Sequence, residues 1–361
     1  MRILVCEHFT AEGHANLFVN LCKLLTGCGY EVIAVIPQNF TKDISFCHTV
    51  RTNLKYYTDE YSQGSRYRKT LYGLRVQRFI SKLYESYVID ATFVVTYDEI
   101  SLAIGKFLRY IKGPFFVFQN LNPDDILESR IHSFAFSLIK NRVYSVVLGG
   151  FIKDILITKL NLSPGRVLVF PHPMNLVDNK IIADIDCVGI SNSNDENIVE
   201  SIIESEKREG LIKKNNLKVI LKSRKHAFNN GNLIIISGFI DSSLYDDYIS
   251  RAKCIFIPFP ISFKSRISGT LIDALSNNKC VIGTKTPAII HSSKCYNNVI
   301  KIFEKSSFVN DIKDSSIDNL LKEEDFARFK KQHSDDVLSK ILSKAVDNAI
   351  ANRAMEDMYD F

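Results

Sequence analysis

The sequence predicts an α/β protein built from two parallel sheets in tandem, and three observations predict it. Arg2 to Glu7, Gly13 to Leu25 and Glu31 to Ile36 read in order as strand, helix and strand, the βαβ unit that implies parallel pairing. A second series of apolar runs begins at Cys187, after the stiff Pro171-His172-Pro173 segment. Within that series, Tyr248 to Pro287 again alternates strand, loop, helix and strand. A chain of 361 residues exceeds the usual size of a single domain, which agrees with two.

The first helix carries Leu17, Phe18, Leu21, Leu24 and Leu25 near helical spacing, and Gly27 and Gly29 close it. Further strands are expected at Ala91 to Thr96, Pro114 to Gln119, Ser145 to Leu148 and Arg166 to Phe170. Residues 171–186 read as a hinge between domain 1–170 and domain 187–339. Cys187 to Ile190, Lys218 to Leu221, Leu233 to Ser237, Cys254 to Ile257 and Cys280 to Gly283 supply the second sheet. A final helix, roughly Asp336 to Tyr359, follows, and no short-period repeat interrupts the order.

Composition narrows the function classes. Hydrophobic residues make up 46% and charged residues 24%, ordinary for a soluble globular chain. No apolar run approaches the roughly 20 residues that span a bilayer. Met1 to His8 reads as a first strand rather than a signal peptide, because Glu7 interrupts it. The eight cysteines lack CxxC spacing, so reduced core thiols in the cytoplasm are expected rather than disulfides or zinc. A formal net charge of +6 permits contact with anionic lipid or phosphorylated ligands but does not argue for nucleic acid. No GxGxxG follows the first strand, which counts against a dinucleotide site.

The densest signal runs from Cys254 to Gly283. An apolar strand stops at Pro258 and Pro260, a basic Ser-rich loop follows to Arg266, and Ser268-Gly269-Thr270 opens the next helix. Free backbone N–H groups and the positive dipole end of a helix start suit a phosphate, and Arg266 can fork onto its oxygens. A tight turn beside a solvated arginine remains the plainer alternative.

This strand, loop, Ser-Gly-Thr-Leu-Ile-Asp-Ala-Leu helix and Asn-Lys-Cys-Val-Ile-Gly strand resembles the nucleotide-sugar site of GT-B glycosyltransferases, and within them retaining family 4. The resemblance implies two Rossmann-like domains facing a cleft, with the helix at 340–361 crossing back to the N-terminal domain. It also implies that the loop and helix start hold the donor diphosphate and that Asp273 takes the ribose hydroxyls. The family carries two glutamates here, and Ser265 stands where the first would be. Its cations after the first strand of the second domain are missing from Ser191 to Asp195; Lys222 or Arg224 can replace them. Gly238-Phe239-Ile240 is similar to the segment that meets the nucleobase. Gly13 and His14 match the wall facing the donor phosphate and acceptor. Asn120 stands where the family commonly places a histidine lining the sugar pocket.

Other features keep two readings. Asp184-Ile185-Asp186 matches a metal-binding DxD triplet, but it falls before a strand and is read as structural, with no metal required. Arg51 to Tyr87 combines basic residues with tyrosines; it fits either a contact with the inner face of the cytoplasmic membrane or a solvated helix whose tyrosines pack on the core. The resemblance implies a retaining, metal-independent enzyme of the hexosyltransferase type. It would move sugar from a nucleoside diphosphate donor to a lipid-linked or saccharide acceptor during O-antigen or capsule assembly. The alternatives are a sugar-nucleotide epimerase and a non-catalytic partner that kept the fold.

Overall fold

The computed structural model describes residues 1–9, 14–60, 66–120, 122–177, 182–238, 240–317 and 320–359. The chain divides into two compact units, Met1–Pro173 with His333–Phe361, and Met174–Gln332. Each is a parallel sheet wrapped by helices, the architecture of GT-B proteins.

In the first unit the elements are β1 (Arg2–Cys6), α1 (His14–Gly27), β2 (Glu31–Ile36), β3 (His48–Arg51), α2 (Tyr57–Glu60), α3 (Arg66–Ser86) and β4 (Ala91–Val94). They continue through α4 (Glu99–Phe107), β5 (Phe115–Phe118), α5 (Asn122–Glu128), α6 (Arg130–Ile139), β6 (Tyr144–Val147), α7 (Gly150–Leu160) and β7 (Val167–Val169). The sheet order is β3-β2-β1-β4-β5-β6-β7 and every pair is parallel. Strands such as Phe115–Phe118 are buried along their whole length, because helices cover both faces of a parallel sheet.

The second unit holds β8 (Ile185–Gly189), α8 (Glu196–Glu209), α9 (Leu211–Lys214), β9 (Val219–Lys222), β10 (Phe228–Asn229), β11 (Leu233–Ile236) and α10 (Ser242–Arg251). It then runs through β12 (Ala252–Ile257), α11 (Gly269–Ser276), β13 (Cys280–Gly283), α12 (Pro287–Cys295), β14 (Ile300–Ile302), α13 (Phe308–Ser315) and α14 (Leu320–Gln332). Its order is β10-β11-β9-β8-β12-β13-β14, with only the short edge strand β10 antiparallel among the described residues. The last helix, α15 (Asp335–Tyr359), belongs to the first unit and packs on α1.

These orders place a topological switch point in each sheet, between β1 and β4 and between β8 and β12, where α/β proteins hold ligands beyond the carboxyl ends of the strands. Gly189 ends β8 at that point. A Cβ there would lie 2.9 Å from the Leu221 side chain and 3.1 Å from the Phe256 carbonyl, so only glycine lets the three central strands approach this closely.

All eight cysteines are free, and Cys6, Cys22, Cys187, Cys254 and Cys280 are buried. No described helix is long and apolar enough to cross a membrane. In the Arg51 to Tyr87 segment, Tyr56 and Tyr72 are buried while Tyr67 is exposed. The Tyr72 hydroxyl donates to the carbonyls of Lys55 (2.6 Å) and His8 (3.0 Å). The carboxylates of the DxD triplet are engaged in ion pairs. Asp184 binds Arg251 (2.7 Å) and Lys218 (3.0 Å), and Asp186, already inside β8, binds Lys253 (2.7 Å). Among the described residues no group of three or more His, Cys, Asp or Glu is arranged to hold a metal ion.

Candidate functional site

Three loops leave the carboxyl edge of the second sheet side by side, after β9, β8 and β12. The middle loop, Ser191 to Asp195, is tied to both neighbours. The side-chain amide of Asn194 donates to the carbonyls of Gly189 (2.8 Å) and Lys222 (2.9 Å). The backbone N–H of Asp195 donates to the Pro258 carbonyl at 2.6 Å. Asn194 is buried, so these bonds are shielded from water and hold the switch point in one shape.

Lys222 and Arg224 part company here. Lys222 ends β9, is buried, and its ammonium donates to Asn192 Oδ1 in the loop after β8. The positive charge absent from the sequence of that loop is thus brought to it by the neighbouring strand. Arg224 turns outward, with its Nε 3.5 Å from Glu196 and its backbone N–H donating to the same carboxylate at 2.9 Å. Glu196, in the first turn of α8, also accepts from the Ser223 hydroxyl. It therefore braces the turn after β9. The sequence reading passed over it because its partners lie 27 and 28 residues away.

The third loop leads into α11. Ser268 caps that helix, its hydroxyl accepting from the Leu271 N–H at 3.2 Å, the geometry that makes serine a preferred N-cap. Arg266 is half-buried, and its guanidinium stacks 4.5 Å above the Phe263 ring, an arrangement that restrains a flexible cation before any ligand arrives. Ser265 is fully buried. Gly269 is exposed, and a Cβ built on it would meet nothing within 4 Å. Close packing of the helix therefore does not require glycine there, and the space beside Gly269 is open.

Asp273 lies one turn further along α11. The Tyr245 hydroxyl donates to its Oδ2 at 2.9 Å, and the Asn175 side chain also hydrogen-bonds it. Burial raises the carboxyl to about 7, and the nearby Asp246 adds to the rise. Thr270 is buried and its side chain hydrogen-bonds Tyr245. Gly238 adopts φ +88, a conformation suited to glycine, in the turn after β11. Ile240 is half-buried against the core. Phe239 lies outside the described residues.

The first unit offers a different chemistry at its own switch point. Glu7, fully buried after β1, accepts from the Phe9 N–H (2.8 Å) and from the Thr96 hydroxyl beyond β4. His14 opens α1, and Gly13 before it lies outside the described residues. Burial, reinforced by His172, lowers His14 to about 4, so its neutral form is secured mainly by desolvation rather than by the helix end. His172 is likewise lowered to about 4, chiefly by burial, and its Nδ1 lies 2.7 Å from the Pro173 carbonyl. Asn120 is buried beyond β5, and its amide donates to the Val95 carbonyl at 2.9 Å. Its Oδ1 has no hydrogen-bond partner among the described residues. Glu7 and His172 are further functional candidates that sequence reasoning missed. Glu7 looked like the end of a strand, and His172 like part of a hinge.

Comparison with known proteins agrees on the architecture. No protein-family model matches the chain, and no curated protein matches it in sequence. Solved structures do. A glycosyltransferase from Rickettsia africae is similar at TM-score 0.65 and 11% identity, over 97% of this chain and 99% of that one. The HepE protein of Anabaena, solved with UDP and glucose, matches at TM-score 0.61 and 9% identity, over 96% and 99% of the two chains. A putative UDP-N-acetylglucosamine 2-epimerase from Listeria monocytogenes matches at TM-score 0.62 and 10% identity, over 96% and 95%. These likenesses establish the GT-B fold of the chain.

Proposed function

We propose that the protein is a glycosyltransferase of the GT-B class, resembling retaining family 4, that uses a nucleoside diphosphate sugar. The observation that carries the reading is the capped start of α11 together with the stacked Arg266 at the switch point beside β8. Arg266, Ser268, Gly269 and Thr270 would hold the diphosphate, with Lys222 adding charge through the loop after β8. Such preorganised donors stabilise the charge that develops on a departing nucleotide. Asp273 is assigned the ribose and the turn Gly238-Phe239-Ile240 the base. Gly13 and His14 are assigned the wall facing the donor phosphate and acceptor, and Asn120 the sugar pocket, where it offers a hydrogen-bonding group without a titrating proton. Arg224, engaged with Glu196, supports the site rather than touching the ligand.

The acceptor is proposed to be lipid-linked or saccharide, in surface-polysaccharide assembly at the inner face of the cytoplasmic membrane. Supporting a mechanism without a bound metal, Asp184 and Asp186 are committed to Arg251, Lys218 and Lys253, and activity is expected to survive EDTA. Calorimetry with a panel of nucleoside diphosphates, followed by product analysis with the sugar form of the best binder, tests the reading. Failure of every nucleotide to bind would leave the non-catalytic alternative. Turnover of donor with no acceptor present would favour the epimerase, an outcome the likeness to the Listeria protein keeps in view.

A further inference from the structure

The opposite edge of the first unit's sheet, where β4 to β7 begin, encloses a groove of about 830 Å³. Lys106, Arg109, Lys112, Arg142 and Arg166 line it, and Glu85 is its single acidic lining residue. They come from the end of α4 and from the segments entering β5, β6 and β7. Lys106, Arg109, Lys112 and Arg142 form no ion pair with any described residue. The corresponding edge of the second unit is built differently, since Lys218, Arg251 and Lys253 there are paired with Asp184 and Asp186.

Helix ends account for only part of this charge. Carbonyls at a helix C-terminus attract cations, and the Lys106 ammonium donates to the Leu138 carbonyl (2.6 Å) in α6. Lys112 donates to the Ser81 carbonyl (3.4 Å) in α3. Arg166 stacks 4.6 Å over the Tyr144 ring, which sets the plane of its guanidinium. The backbone N–H groups of Arg109 and Arg142 donate to the Lys106 (3.0 Å) and Ile139 (2.7 Å) carbonyls, but their guanidiniums make no hydrogen bond with any described residue. Arg109 moreover sits at φ +57 just beyond α4, a position that glycine or asparagine takes at lower cost. An arginine at positive φ whose guanidinium has no partner among the described residues, in a groove with four other cations, is placed to meet something outside the protein.

We propose that this groove is a binding site for a phosphate-bearing anion, separate from the nucleotide site assigned to the second unit. The forked guanidiniums of Arg109, Arg142 and Arg166 suit paired phosphate oxygens, and the two lysines supply point charges. The groups recognised are the same whether the phosphate is free in solution or carried on a lipid headgroup. Exposed Phe107 and Leu108, adjoining the groove on α4 and its end, are the reason to examine both sources.

The test uses the full chain carrying Arg266→Ala, which weakens phosphate binding at the nucleotide site, and compares it with the same chain carrying the groove substitutions as well. Pyrophosphate is titrated by calorimetry, and flotation is measured with phosphatidylcholine vesicles with and without phosphatidylglycerol. Arg109→Asn with Arg142→Gln is the probe variant, because asparagine tolerates positive φ; a melting temperature no lower than that of the parent shows that it folds. Pyrophosphate binding that falls at least tenfold in the variant and weakens with salt supports a soluble ligand. Flotation that requires phosphatidylglycerol and is lost in the variant supports a lipid headgroup. If neither probe binds, or binding is indifferent to the two substitutions, the proposal is overturned. Both results are independent of whether any nucleotide binds the second unit.

Discussion

At the carboxyl edge of its sheet the second unit presents cations and a capped helix start, whereas the first presents neutral histidines, an amide and a buried carboxylate. Lys222, Arg266 and the N-terminus of α11 are suited to hold a ligand that carries permanent negative charge. His14 and His172 are driven to their neutral forms by burial, and Asn120 adds a hydrogen-bonding group that does not titrate. The two sheets have closely similar topology, so the difference lies in the loops. One fold supplies two equivalent positions, and side chains decide which of them recognises charge.

The sharpest way to break the comparison is to remove the charge. Arg266→Ala should weaken nucleoside diphosphate binding by roughly 1.5–3 kcal/mol, the scale of a charge-assisted hydrogen bond, while nucleoside without phosphate binds as before. Calorimetry with the matched pair of ligands measures this. Equal losses for both would show that the substitution disturbs the loop as a whole, and no loss for either would make Arg266 a surface charge stacked on Phe263.

The second prediction concerns the neutral site and has a definite sign. His14 and His172 titrate near 4 in the folded chain against an ordinary value of 6.5. Between those values the unfolded chain binds more protons, so stability rises with pH from 4 to 6.5 and is lost on acidification. Each histidine contributes at most about 1.4 kcal/mol per pH unit to that slope. Melting temperatures from pH 4.5 to 7 should show a shallower slope in His14→Gln with His172→Gln. An unchanged slope would mean that these imidazoles are solvated and their neutrality is not imposed by the fold.

How much of this contrast was legible in the sequence depends on its range along the chain. The buried strands were legible because both faces are covered and their residues run apolar without break, as in Glu31–Ile36 and Cys280–Gly283. Of the four edge strands only Val167–Val169 was legible, within the expected Arg166 to Phe170. His48–Arg51 is almost wholly polar, and Phe228–Asn229 and Ile300–Ile302 are too short to give a pattern. The start of α11 could be read because Ser268 and its target Leu271 are three residues apart. The approach of Lys222 to Asn192, of Glu196 to Ser223 and of Thr96 to Glu7 spans 30, 27 and 89 residues. Only the order of the strands brings them together. Gly269 was legible as a glycine but not in its reason, since nothing in the protein occupies the space beside it.

The smallest expected effect probes a carboxyl inside the charged site that behaves oppositely to the histidines. Asp273 is raised to about 7 from an ordinary 3.8, because burial, with Asp246 nearby, disfavours its anion despite the Tyr245 hydrogen bond. Between those values the folded chain holds the extra proton, so Asp273 makes stability fall as pH rises, the reverse of His14 and His172. Asparagine closely imitates the protonated form. Asp273→Asn should therefore leave donor affinity unchanged at pH 6 and alter it by no more than about 1 kcal/mol at pH 8, where the wild-type carboxylate is the better acceptor for ribose hydroxyls. In the absence of ligand the same variant should gain thermal stability at pH 8 and gain less at pH 5, because only the first part of the interval from 3.8 to about 7 lies below pH 5. Its gain comes from removing a buried anion whose desolvation, with the nearby Asp246, outweighs the hydrogen bonds from Tyr245 and Asn175. A loss of stability at pH 8 would show that the hydrogen bonds from Tyr245 and Asn175 outweigh the desolvation of the carboxylate, and the two units would then share one pH dependence instead of opposing each other.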